Sequence, residues 1–441
     1  MHQLAIALKR KGYQLTGSDD EIFEPASTNL EREGILPNCL GWHPEFINNQ
    51  LDAIILGMHA RNDNPELIKA KELGLTIYSF PEYIYQESRN KTRIVVGGSH
   101  GKTTTTSMIM HVLKATGKAF DWLVGARLDG FDQSVQISDA SLIVCEGDEY
   151  PASAIEKRPK FHFLFPHIAI LTGIAWDHIN VFPTFGNYLD QFRIFLEKIE
   201  PGGILIYNET DPILKSLVDG FDGPIRKIGY AIPIHTVKQG VTHVELDGQD
   251  GALRIFGDHN LLNLNAAYHA CTSVGVKTAD FVLAMSTFKG ASKRLELIEK
   301  NNDRSIFRDF AHAPSKVKAS IHAVKQQFPA RKLIAVLELH TFSSLNKDFM
   351  KEYRGTMDEA DQASVFFSKH ALALKKMPEL SADVVREGFG NKELQVISDR
   401  ETLEGWLSQQ SYENANLLFM SSGNYDGLDI LTFAKQIVSN A

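Results

Sequence analysis

The strongest constraint on this chain is the stretch 92–113, TRIVVGGSHGKTTTTSMIMHVL. Ile94, Val95 and Val96 form a β-branched run that reads as a buried strand. The run breaks at Gly97 and Gly98, passes Ser99 and His100, and reaches Gly101, Lys102, Thr103 and Thr104. Met108, Ile109, Val112 and Leu113 then recur on one face of a helix. A strand, a glycine loop, Lys-Thr and a helix, in that order, predict a phosphate cradle. The glycines let backbone N–H groups converge on an anion, and the helix N-terminus adds its dipole. In this reading Gly98 to Thr104 wrap the phosphates of ATP, Lys102 bridges the terminal ones, and the Thr103 hydroxyl suits Mg2+. The bland alternative is a glycine turn before a helix that carries an exposed lysine. The loop is shorter than G-x-x-x-x-G-K-[ST], which sets the chain apart from ordinary GTPases and kinases.

A chain of 441 residues is long enough for several domains with their own cores. A net charge of −8 gives no electrostatic footprint for nucleic acid or an anionic membrane. Cys39, Cys145 and Cys271 are far apart, which suits a reducing compartment and excludes a disulfide or zinc framework. No apolar run reaches the length of a membrane span. Residues 1–12 lack a small-residue cleavage site and are not read as a signal peptide. The expectation is a cytoplasmic protein with no membrane span and no nucleic-acid partner.

Residues 1–12 read as a helix that closes at Gly12, followed by a short strand over 13–16 and the turn Gly17-Ser18-Asp19-Asp20. In a dinucleotide-type fold a carboxylate at the end of the second strand meets a ribose hydroxyl. Asp19 stands there, and a plain strand-end turn is the alternative. Such a fold begins with a strand and a glycine-rich turn, whereas this chain begins on a helix. The first strand and its loop are therefore expected to be missing. Strands at 51–57 and 75–78 flank a helix at 65–73, and 87–91 reads as a polar linker.

The strand at 142–149, LIVCEGDE, ends in Glu146, Asp148 and Glu149. Acids beside a phosphate loop suit Mg2+, which prefers oxygen ligands, and a solvated acidic loop is the alternative. The strand at 168–178 ends in Asp177-His178, on the expected active edge of a parallel sheet. His178 is read either as a metal ligand or as a structural histidine. In FGDHNLLNLNAA (256–267), Asn260, Asn263 and Asn265 are poor helix-interior choices, so at least one faces a ligand such as a purine edge. Arg294, in KRLE, is either a surface cation or a clamp on a phosphoryl group. From 305 onward a second strand–helix alternation carries Asp309, a helix that Ser315 can cap, and His340 in LHTFSS.

GSHGKTTTT, CEGDE, WDH, DHNLLNLNAA, KRLE and DFAHAPS occur in that order, and together they resemble the Mur ligase superfamily. The resemblance implies an α/β protein of three domains. These are a Rossmann-like UDP-sugar domain over 1–90, a central P-loop ATPase domain over 91–297 and a Rossmann-like C-terminal domain over 298–441. It also implies ATP-dependent amide formation: the muramate carboxylate takes the γ-phosphate, and an amine then displaces phosphate from the acyl phosphate. Lys102, Glu146 and His178 would be catalytic, with Thr103, Glu146 and His178 on Mg2+. Asn260 and Asn263 would contact adenine, and Arg294 and Asp309 would engage the nucleotide. Ser18, Asp19 and His340 would meet UDP-N-acetylmuramate and the incoming amino acid or peptide. Several members carry a modified lysine where this chain offers Gln191, as does the branch without one.

EGDEY, KRPKF (157–161) and IAWDHINVFPTF (174–185) are similar to the murein peptide ligase branch, which adds a whole tripeptide in peptidoglycan recycling. The branch that adds L-alanine in biosynthesis reads ADESD and ADHMD at the first and third of those places. A folylpolyglutamate synthase and a non-catalytic UDP-sugar or nucleotide binder are the competing readings. The Ser18-Asp19 domain opposes the first, and the joint retention of Lys102, Thr103, Glu146 and His178 opposes the second.

Overall fold

The computed structural model describes residues 1–125, 128, 130–176, 181–290 and 294–439. They form two compact units, Met1–Pro233 with Leu262–Met285, and Ile234–Leu261 with Ser286–Ala441.

In the first unit the helix His2–Arg10 buries Leu4, Ile6, Ala7 and Leu8. Two parallel strands, β1 (Ile54–Leu56) and β2 (Ile77–Ser79), are linked by the helix Pro65–Glu72, whose first turn is capped by the Asn64 side chain. The strand expected at 13–16 does not form. No described strand pairs with it, and a strand without a ladder is not stable. Tyr13 instead gives its hydroxyl to Glu87, 2.9 Å away. The polar linker expected at 87–91 is likewise tied down. Buried Arg93 donates to the carbonyls of Ser88 (2.9 Å), Arg89 (3.0 Å) and Phe165 (2.8 Å), and pairs with Glu200 at 2.6 Å.

The main sheet of this unit consists of β3 (Thr92–Gly97), β4 (Asp121–Leu123), β5 (Val135–Gln136), β6 (Leu142–Glu146), β7 (Ile168–Leu171), β8 (Ile204–Asn208) and β9 (Arg226–Tyr230). Their order is β5-β4-β6-β3-β7-β8-β9, parallel except for β5. Ile94, Val95 and Val96 are wholly buried, as a central parallel strand covered on both faces requires. The chain leaves β3 toward β4 on one side and later returns to β7 on the other. The carboxyl end of β3 is thus a topological switch point, where such sheets hold ligands.

The second unit opens with an antiparallel meander, β10 (His235–Lys238), β11 (Val241–Leu246) and β12 (Gln249–Leu253), which the sequence reading did not anticipate. Its larger sheet contains β13 (Glu296–Lys300), β14 (Ser305–Asp309), β15 (Lys332–Leu339), β16 (Gln362–Phe367), β17 (Gln395–Ile397) and β18 (Ala415–Met420). The order is β13-β14-β18-β15-β16-β17, with only β13 antiparallel. Ser315 is not the cap of the helix that follows β14. That helix starts at Pro314 with Ala313 at its N-cap, because the fixed φ of proline suits the first helical position. No described helix is long and apolar enough to cross a membrane.

Candidate active site

The loop between β3 and the helix Lys102–Ala115 lies at the switch point. Gly98 has φ +123° and Gly101 φ +81°, left-handed conformations that favour glycine. A Cβ at Gly98 would collide with the Thr172 hydroxyl, and one at Gly101 with the Asn263 carboxamide. The helix has no side-chain cap, so its first-turn N–H groups stay available to an anion. Ser99 fixes the loop from below. Its N–H donates to the Gly173 carbonyl (3.0 Å), and its hydroxyl accepts from the Ala175 N–H (2.8 Å) and shares a 2.7 Å hydrogen bond with the Tyr188 hydroxyl. His100 Nδ1 lies 2.8 Å from the Ser99 carbonyl, and Thr104 is buried in the helix.

Lys102 Nζ donates to the Gly98 carbonyl (2.7 Å) and pairs with Glu149 Oε2 at 2.6 Å, Glu149 being 1% exposed. Burial alone would lower the lysine pKa. The charges of Glu149, Asp148 and Glu146 outweigh it and hold the ammonium above its ordinary range. The Thr103 hydroxyl donates to Glu146 Oε1 (2.8 Å), and Glu146 Oε2 accepts the Gly125 N–H (3.0 Å). A threonine hydroxyl and a carboxylate touching beside a phosphate cradle are an oxygen donor set of the kind Mg2+ takes together with phosphate and water. These residues therefore fit ATP and Mg2+. Among the described residues no three His, Cys, Asp or Glu side chains converge as a metal cage. His178, the third expected ligand, lies outside the described residues, as do Asp177 and Lys293. Asp148 pairs with Lys160 at 2.7 Å; burial would raise its pKa, but Lys160 holds it below the usual carboxylate range.

Asn263 is buried against the loop, its Oδ1 accepting from the Thr105 hydroxyl (3.2 Å), while Asn260 donates to the Phe256 carbonyl (2.9 Å). Asn265 donates to the Ala231 carbonyl at 2.8 Å. The Ser18 hydroxyl donates to Glu66, and Asp19 bridges to Gly41. Burial, and then Asp20, raise the Asp19 pKa. In the second unit Asp309 is buried at the end of β14 and accepts from the Leu295 N–H (3.1 Å) and the Ser320 hydroxyl. The Arg294 guanidinium lies 4.9 Å from the centre of the Phe310 ring. His340 follows β15, beside buried Glu338. Tyr188, Glu338 and Ser421 were not legible in the sequence, since none belongs to a motif.

The chain matches the Mur ligase middle domain over residues 96–271 and the Mur ligase glutamate ligase domain over 293–423. It is 30% identical to a UDP-N-acetylmuramate–L-alanine ligase of Caldicellulosiruptor bescii, over 83% of this chain and 80% of the relative. It is 28% identical to the UDP-N-acetylmuramate–L-alanyl-gamma-D-glutamyl-meso-2,6-diaminoheptandioate ligase of Escherichia coli strain K12, over 97% and 94%. Among solved structures, a murein peptide ligase of Psychrobacter arcticus 273-4 aligns with a TM-score of 0.62 and 22% identity, covering 100% of this chain and 97% of that one.

Proposed function

We propose, on the premise that this chain belongs to the Mur ligase family of ATP-dependent amide-forming ligases, that it joins L-alanyl-γ-D-glutamyl-meso-diaminopimelate to UDP-N-acetylmuramate in cytoplasmic peptidoglycan recycling. One observation carries the choice of acceptor. The EGDEY and KRPKF segments, both similar to the peptide-adding branch, are joined by the Asp148–Lys160 ion pair at the edge of the cradle. The ion pair makes the two segments one local structure, which supports reading them together.

ATP supplies the phosphoryl group that converts the muramate carboxylate into an acyl phosphate. Gly98, Ser99, His100, Gly101 and Thr104 shape the phosphate loop, and Lys102 offsets the negative charge of the terminal phosphates. Thr103 and Glu146, with His178, would hold Mg2+. Asn260 and Asn263 are assigned to adenine, Arg294 and Asp309 to the nucleotide, Ser18 and Asp19 to the UDP moiety, and His340 to the acceptor. The three-domain division at 90 and 297 belongs to the same proposal. The identity to the Caldicellulosiruptor relative favours a second reading, in which L-alanine is the acceptor.

Phosphate release with ATP, Mg2+ and UDP-N-acetylmuramate separates the two. Turnover with the tripeptide and none with L-alanine supports the proposal; turnover with L-alanine alone moves the chain to the biosynthetic branch.

A further inference from the structure

At the carboxyl edge of the second unit's sheet a buried carboxylate sits under an exposed imidazole. Glu338, in β15, is 1% exposed, and His340 stands two residues on, its side chain 34% exposed. Glu338 Oε2 is fully engaged, accepting from the Ser421 hydroxyl and from the Tyr425 N–H at 3.0 Å. Glu338 Oε1 faces His340 Nδ1 at 3.6 Å. Nδ1 is buried and has no hydrogen-bond partner among the described residues, so the exposed part of the side chain lies away from Nδ1. Residue 423, packed against both groups, is glycine. A Cβ there would lie 2.7 Å from both Glu338 Oε2 and His340 Nδ1.

We propose that Glu338 is the positioning residue for His340. It holds the imidazole with its N–H on Nδ1, leaving Nε2 as a hydrogen-bond acceptor at the open edge, where it receives an N–H of the attacking amine. The inference rests on the reading that His340 meets the acceptor. A neutral imidazole carries one donor and one acceptor, and a buried anion selects which nitrogen is the donor. At 3.6 Å the contact is longer than a hydrogen bond, and such contacts in ligand-free sites tighten when substrate arrives. With the opposite tautomer, Nε2–H would meet the N–H groups of the amine, donor against donor.

Glu338→Gln is the discriminating variant. Its amide oxygen can still accept from Ser421 and Tyr425, so the loop stays anchored, but its NH2 faces Nδ1 and inverts the tautomer. The expected result is a fall of about 100-fold or more in kcat/KM for the peptide acceptor, with KM for ATP and UDP-N-acetylmuramate unchanged. The 15N spectrum of His340, assigned by its absence in His340→Ala, should move from Nδ1–H to Nε2–H. Gly423→Ala places a methyl group against the two residues while keeping both, and should give the same selective loss. Glu338→Gln within twofold of the parent, or Nε2–H in the parent protein, overturns the proposal. Should His340→Ala retain full activity, the reading beneath it falls as well. An inactive His340→Ala beside a normal Glu338→Gln rejects the positioning role alone.

Discussion

Lys102 Nζ lies 2.6 Å from Glu149 Oε2, so the loop lysine is already partnered by a carboxylate from the strand-end segment beside it. A polyphosphate bound at this loop, as proposed, would compete with Glu149 for that ammonium. The same acid keeps the lysine charged and poised. The raised pKa has a defined sign. Its contribution is fully present below the ordinary lysine value of about 10.5 and is lost as pH rises through the higher folded-state value. Lys102 function is therefore expected to be flat with pH across the neutral range.

Lys102→Ala should lower ligation by at least about 10²–10³-fold, while UDP-sugar binding persists. Because the change strands Glu149, the double variant Lys102→Met with Glu149→Gln serves as the stability control. Calorimetric titration with UDP-N-acetylmuramate beside a phosphate-release assay reads both. Surviving activity would remove Lys102 from the phosphate site.

Gly98→Ala puts a side chain at φ +123° and into the Thr172 hydroxyl. A loss of about 1–3 kcal/mol in stability is expected, with nucleotide binding lost beyond what that predicts. Denaturant melts with and without ATP would show it, as a reduced or absent nucleotide shift in the variant.

Glu146→Gln keeps the shape of the side chain touching Thr103 and Gly125 but removes its charge. The Mg2+ concentration for half-maximal turnover should rise about tenfold or more, with ATP saturating. A Mg2+ titration of the variant against the parent checks this, and coincident curves would take Glu146 off the metal.

Arg93→Ala deletes a buried guanidinium that ties 88–91 to Phe165 and Glu200. Stranding the backbone carbonyls it serves costs about 1–3 kcal/mol, since Glu200 is partly exposed and can be solvated. Guanidinium unfolding should show the loss, together with faster hydrogen exchange at 87–91.

The strand, glycine turn and helix over 92–115 were legible because their demands are local. Gly98 and Gly101 answer to backbone angles, and Ile94 to Val96 to burial on both faces. The acids at 146–149 read as metal ligands in the sequence, but which side chain each partner holds was not legible, because the pairs join segments distant in sequence. Glu149 meets Lys102 across 47 residues, and Ser421 meets Glu338 across 83, through register that no local pattern encodes. The 13–16 segment failed for the same reason: alternation suggests a strand, but only a neighbouring ladder makes one. Ser315 failed locally, since Pro314 takes the first helical position ahead of it.

The most direct test follows oxygen. UDP-N-acetylmuramate labelled with 18O in its muramate carboxylate should, with ATP, Mg2+ and tripeptide, deliver one labelled oxygen into each phosphate released, because the attacking oxygen leaves with phosphorus when the amine forms the C–N bond. Phosphate that stays unlabelled while the amide product accumulates would contradict carboxylate activation at the Lys102 loop.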